Sequence, residues 1–223
     1  MEDFPTAAVF IVGAIALMAV LVFVGRLKEK KRTEALREVA ANLSFEFADS
    51  DEQLLSHLGS FPLFSQGSSR KMKNVLRGTS SNTEVSFFDY QYTTSGGDDS
   101  TTHQQTGICF RSERLQLPNF ELRPEYWYHK IGNIFGYQDI NFDDYPEFSR
   151  RYLLRSDDED GARDLFTASA IEHLEGQSDI CAEGRDDRLI VYRAGTRVKP
   201  LELPDFLATG FDVFAAFTRE SDV

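Results

Sequence analysis

The chain has 223 residues, 41% of them hydrophobic and 27% charged, with a formal net charge of −12 and a pI near 4.8. That length suits one domain, or two small ones, with room for a sizeable core. The acidic balance excludes a broad phosphate-binding surface of the kind that binds nucleic acid through clustered Lys and Arg, so neither DNA nor RNA is expected as a partner.

Ala7 to Val24 reads AAVFIVGAIALMAVLVFV, free of charges and strong polar groups, and is closed by Gly25 and Arg26. This is long enough to cross a bilayer, and its Val, Ile, Leu and Phe residues favour insertion by about 3 to 6 kcal/mol. A cleaved signal peptide would need a basic start, a shorter apolar run and a small-x-small site, whereas Met1 to Thr6 is acidic. Arg26, Lys28, Lys30, Lys31 and Arg32 crowd the other end against Glu29 alone. The positive-inside rule therefore puts residues 1–6 outside the cell membrane, 7–25 across it as a single-pass anchor, and the remainder in the cytoplasm. That remainder divides into a basic juxtamembrane segment and helix over 26–43 and a domain over 44–220. The same five cations are a candidate membrane-surface site for anionic headgroups, each contributing about 1 kcal/mol near the surface. A topology signal alone is the simpler reading.

Leu36, Val39 and Leu43 share a face in a helix over Glu29–Leu43 that continues or closely follows the anchor. A strand over Ser44–Ala48 and a short helix begun by Ser50 or Asp51, carrying Leu54, Leu55 and Leu58, come next, and Phe61, Leu63 and Phe64 form an apolar patch around Pro62. Asn74–Thr79, Glu84–Tyr92 and Gln104–Arg111 read as an antiparallel meander, with Thr93–Thr102 as a mobile hairpin tip. In the middle strand, Phe88, Tyr90 and Tyr92 fall on one face and Val85 and Phe87 on the other, which predicts cover on both sides. Leu117–Glu125 is extended because each proline biases its predecessor toward β geometry. A helix-like piece over Tyr126–Phe135, an acidic loop over Asp139–Glu147 and a strand over Phe148–Arg155 follow. Ser156-Asp-Asp-Glu159 is a capping box for a helix to about Leu174, with Ala162, Leu165, Phe166, Ala170 and Leu174 inward, stopped by Gly176. Ile180–Glu183 and Leu189–Arg193 pair around Gly184–Asp187, and a helix over Pro204–Thr218 carries Phe206, Leu207, Phe211, Phe214 and Phe217. The sum is an α+β domain, an antiparallel sheet packed with helices, behind one transmembrane helix.

The chemistry is sparse. His57, His103, His129 and His173 stand in separate contexts without zinc-ligand spacing, and no G-x-S-x-G elbow or phosphate loop is present, Gly132–Gly136 lacking its Lys-Ser/Thr ending. Cys109 and Cys181 are flanked by strand-like residues, which suggests buried thiols in a reducing compartment; one disulfide between them is the alternative. Asp139, Asn141 and Asp143 copy the first ligand positions of a calcium loop, but Asp144 stands where glycine is needed and Arg150 where the closing Glu belongs, so a solvated acidic loop is favoured. Arg123, Glu125, Arg150 and Arg151 around the Pro-rich stretch read as rim salt bridges of small weight.

Asn74-Val-Leu-Arg-Gly78, Phe88-Asp-Tyr-Gln-Tyr92, Leu117-Pro-Asn-Phe-Glu-Leu-Arg-Pro-Glu125 and Asp139-Ile-Asn-Phe together resemble a family of uncharacterised bacterial single-pass membrane proteins of unknown function. The similarity runs from about Thr33 to Val198 and implies a bacterial inner-membrane setting, with no activity, cofactor or functional residue carried over. The reading is thus a membrane-anchored, non-enzymatic module that binds a protein partner, touching the bilayer through residues 7–25 and holding no cofactor or metal. Two rivals are a tethered hydrolase or transferase using Asp89, Asp139 and Asp143, and an anionic-lipid sensor using Arg26 to Arg32.

Overall fold

A computed structural model describes residues 4–96, 99–128, 139–177 and 179–218. Residues 4–42 form one unbroken helix, α1 (Phe4–Asn42), since proline occurs only in its first turn and nothing breaks the pattern where the apolar stretch ends. Among the described residues this is the one helix long and apolar enough to cross a membrane. Its first half lies free of the domain, with Phe10 78% and Phe23 62% exposed, whereas Leu36 and Ala40, one turn apart, are buried. The apolar stretch and the polar stretch that follows it are therefore a single helix.

After α1 the chain runs β1 (Glu46–Ser50), α2 (Glu52–His57), α3 (Pro62–Ser65), β2 (Ser68–Ser80), β3 (Thr83–Gly96), β4 (Asp99–Arg111), β5 (Leu117–Pro124) and α4 (Glu125–Tyr128). It continues with α5 (Pro146–Arg151), β6 (Tyr152–Ser156), α6 (Glu159–Leu165), α7 (Ala168–Glu175), β7 (Cys181–Asp186), β8 (Arg188–Tyr192), a 3₁₀ turn at Pro200–Glu202 and α8 (Leu203–Phe217). The strands form one sheet in the order β1-β2-β3-β4-β8-β7-β5-β6, antiparallel at every pairing. The α+β class read from the sequence is the class observed.

Alternation assigns the faces. Val85 and Phe87 of β3 join Ile108 and Phe110 of β4 and Leu189 and Val191 of β8 under α1 and α5 to α8. Phe88, Tyr90 and Tyr92 join Cys109, Ile190 and Tyr192 under α2 and α3, where the Phe64 ring lies 4.5 Å from that of Tyr90. Both faces of the central strand are covered, as the sequence pattern requires. Burying rings of this size favours the fold by roughly 1.5 to 3 kcal/mol each.

Several expected elements are corrected. Thr93–Gly96 and Asp99–Thr102 are strand rather than loop: β3 and β4 stay paired from Thr93↔Thr102 to Gly96↔Asp99, because β-branched threonines suit a pleated pair. Phe148–Arg155 is not one strand, since Pro146 at the first helical position starts α5 and strand geometry begins only at Tyr152. The helix expected from Ser156 to Leu174 breaks in two: Asp158, not Ser156, caps α6 by accepting from Gly161 N, and Thr167 caps α7 by accepting from Ala170 N. The turn expected at Gly184–Asp187 tightens to Asp186–Asp187 between the paired Arg185 and Arg188, with Asp186 left-handed at φ 52°. Gly184 itself lies in β7, where a Cβ would come within 2.1 Å of the Phe120 ring. Of the helix expected over Tyr126–Phe135, only the start falls in α4; the rest, with His129 and Gly132–Gly136, lies outside the described residues.

Candidate functional site: the seat of the anchor helix

The polar half of α1 lies on the sheet with Leu36 and Ala40 in the apolar core, but one turn earlier, around Arg32, the side chains that meet it from β2, β3 and β4 are polar or charged. Arg32 lies one turn before Leu36, on the same face, and so points at the sheet. Its Nε and Nη2 donate to Asp89 Oδ2 and Oδ1 at 2.8 and 2.7 Å, a forked contact that only a guanidinium makes, and its Nη1 donates to the Val198 carbonyl at 2.7 Å.

A bulge between Lys73 and Leu76 makes this geometry possible. Asn74, in the left-handed region at φ 50°, is re-aimed so that its Nδ2 donates to Asp89 Oδ2 at 2.9 Å while its Oδ1 accepts from Thr33 at 2.9 Å. Thr106 Oγ1 donates to Asp89 Oδ1 at 2.9 Å, and Arg197 donates to Oδ2 at 3.2 Å while gripping Glu29 of α1 at 2.6 and 2.9 Å. Five donors thus converge on one buried carboxylate. Burial pushes the Asp89 carboxyl up, but the hydrogen bonds and charges of Arg32 and Arg197 outweigh it and hold the group below the usual carboxylate range. Chemically this arrangement is a clamp, since every acceptor lone pair of Asp89 faces a donor and none is left for a substrate.

A second ionic group lies on the opposite face. Glu183 of β7 is fully buried; it accepts from Leu63 N at 3.0 and 3.1 Å, from the Tyr192 hydroxyl at 2.8 Å and from Arg123 at 3.5 Å. Arg123 also meets Glu121. Burial pushes the Glu183 carboxyl up, against Arg123, which favours its ionised form. This group ties α3 to the sheet.

The expected site residues disperse. Of the five cations assigned to the membrane surface, Arg26, Lys28, Lys30 and Lys31 are exposed, but Arg32 is turned into the domain, its side chain 13% exposed, because Asp89 offers it a partner water cannot match. Asp139 accepts from Leu154 N at 3.1 Å, the Asn141 carbonyl accepts from Arg163 at 3.0 Å, and Asp143 is exposed. No group of three or more potential metal ligands occurs among the described residues. Asp89 on β3 and Asp139 beside β6 are separated by five strand spacings, about 24 Å, so these acids share no pocket. Arg123 is no rim residue, because Glu183 and Glu121 draw it under cover, whereas Arg150 meets Glu147 at the surface and Arg151 meets the Glu175 carbonyl.

Glu29, Asn74, Thr106, Arg197 and Glu183 escaped the sequence reading. The one usable signal was an acid, Glu29, in a basic run, four residues after Gly25.

Cys109 and Cys181 are buried free thiols, each pushed up to about 12 by burial. Since the thiolate is the nucleophile, iodoacetamide is expected to leave both unmodified in the folded protein and to alkylate both after denaturation, as mass spectrometry would read. Modification under native conditions would contradict their burial.

No family model matches the chain, and no curated protein matches it. Among solved structures, the fold is similar to that of the mycobacterial trehalose monomycolate transport factor A, TtfA, at TM-score 0.63 and 13% identity, covering 86% of this chain and 98% of that one. At that identity the likeness shows the shared fold.

Proposed function

We propose that this chain is a membrane-anchored scaffold or protein-binding module that presents its domain at a fixed height and rotation beside the bilayer, with the domain in the cytoplasm and the N-terminus outside. The observation that carries it is the continuity of α1: the exposed apolar half and the half clamped through Arg32 and Asp89 are one helix, with no flexible linker between them. An enzyme that needed only proximity to the membrane would work on a loose tether. A rigid strut matters when a partner in the same membrane must be met at a defined position. The similar fold of a mycobacterial transport factor supports a role in transport, and the basic Arg26–Lys31 run supports the orientation. The resemblance to bacterial single-pass proteins belongs to the same proposal.

Inserting a flexible Gly-Ser segment after Lys28 is expected to leave the protein in the membrane fraction while abolishing capture of its partner, read by in-membrane cross-linking and mass spectrometry against an anchor-free control. Capture that survives the insertion overturns the strut, and a full-length protein that never cross-links to a partner overturns the scaffold reading.

A further inference from the structure

Where α1 leaves the sheet, the surface beneath it turns polar and basic. Lys71 and Lys73 of β2 project from the same side of the strand, and the register sets Lys73 against Asp89 and Lys71 against Gln91, which faces Gln104. With Arg197 and Glu29 these side chains line a notch of ≈ 140 Å³. The carboxylates of Glu29 and Asp89 are matched by the guanidiniums of Arg197 and Arg32, which leaves Lys71 and Lys73 uncompensated. Both lysines are exposed, and no described residue forms an ion pair with either. On α1 the notch is bounded by Glu29, which Arg197 holds. Two unpaired cations therefore stand side by side at one place in a chain of net charge −12.

The notch also has a fixed height. Arg197 holds Glu29, which is four residues beyond Gly25 and so about 6 Å along the axis from the end of the apolar stretch. That is within one Debye length, about 8 Å at physiological salt, of the headgroup layer.

We propose that this notch binds the phosphate headgroup of an anionic membrane lipid, with Lys71 and Lys73 as its cations and the amides of Gln91 and Gln104 beside them. The site is a second attachment to the bilayer, made by the domain itself, and it fixes which side of the domain faces the membrane. It rests on α1 being the membrane anchor.

The test uses the full chain in nanodiscs of phosphatidylcholine alone or mixed with phosphatidylglycerol, with lysine acylation followed by mass spectrometry. Co-purification with the discs checks the anchor independently of the site. Because a cation near an anionic surface gains about a fivefold preference for it, acylation of Lys71 and Lys73 is expected to slow about fivefold in the phosphatidylglycerol discs, with Lys199 unchanged and the effect erased by high salt. In K71Q, protection of Lys73 is expected to fall below about twofold, because the lysines share one ligand, whereas independent surface screening would leave it unchanged. Equal acylation in the two discs, equal slowing at Lys199, or undiminished Lys73 protection in K71Q overturns the proposal. Equal protection by inorganic phosphate over phosphatidylcholine discs overturns the assignment to lipid.

Discussion

Replacing Arg32 by alanine is expected to destabilise the folded domain by about 3 kcal/mol or more, because breaking a buried ion pair leaves its partner charge without compensation. Asp89 would keep Asn74, Thr106 and Arg197 as donors but lose its forked contact, with its side chain only 8% exposed. R32K is expected to recover less than half of the loss, since an ammonium cannot reproduce two parallel hydrogen bonds and also reach the Val198 carbonyl. The double variant R32A/D89A should be less destabilised than the sum of the two single variants by about 1 to 3 kcal/mol. Denaturant unfolding in detergent, followed by tyrosine fluorescence, measures all four proteins, and strict additivity would mean that the pair contributes nothing. The pH dependence follows from the lowered Asp89 value. The folded state binds the Asp89 proton more weakly than the unfolded chain, so the clamp stabilises above the ordinary carboxylate value of 3.8 and is lost as pH falls through the lower, folded one. In R32A the acid transition should move to higher pH.

Glu183 predicts a large effect with the opposite pH sign. E183A removes the acceptor of Leu63 N and of the Tyr192 hydroxyl and leaves buried Arg123 with Glu121 alone, at a cost of about 3 to 5 kcal/mol. E183Q keeps an acceptor without the charge and is expected to fall between wild type and E183A. Burial raises the folded value above the ordinary 4.5, so Glu183 contributes most at low pH, and its contribution is lost as pH rises from 4.5 through the raised folded value. Wild-type stability should therefore decline relative to E183Q as pH rises through that window. Parallel profiles for the two proteins would show that Glu183 titrates alike in the folded and unfolded states.

The two ionic groups have different physical roles. Asp89 and Arg32 join elements 57 residues apart in sequence and connect a helix that leaves the domain to the sheet that forms its centre. Glu183 joins α3 to β7 inside one face and affects only the integrity of the domain. If the strut matters for function, R32A should disturb partner capture at temperatures where the domain is still folded, whereas E183Q should not.

Most helices and strands were legible because their signals are local. The apolar run of Ala7–Val24, the alternation in Val85–Tyr92 and the Phe206, Phe214 and Phe217 stripe of α8 each specify an element and a buried face from a short window of sequence. Where local signals compete, the local reading fails: Pro146 starts a helix that the following aromatic and apolar residues, Phe148, Tyr152, Leu153 and Leu154, conceal, and Thr167 supplies a cap inside what looks like one helix.

The site was not legible in the same way. Arg32 reads as one of five juxtamembrane cations: Leu36, one turn on, puts it on the inward face, but nothing within ten residues names the acid it meets. Its partner lies on β3, and the donors that complete the clamp come from a bulge in β2, from β4 and from the segment after β8. The sequence by itself determined the long apolar helix, the α+β class, the two-sided burial of the central strand and the burial of both cysteines. Those properties depend on hydrophobicity and period, which are written along the chain. Only the tertiary structure decided that the apolar stretch and the domain share one continuous helix, that Asp89 is gripped by five donors, and that Lys71 and Lys73 line one notch with Arg197 and Glu29. Those properties depend on which distant charges become neighbours, and that is set by the order of strands in the sheet.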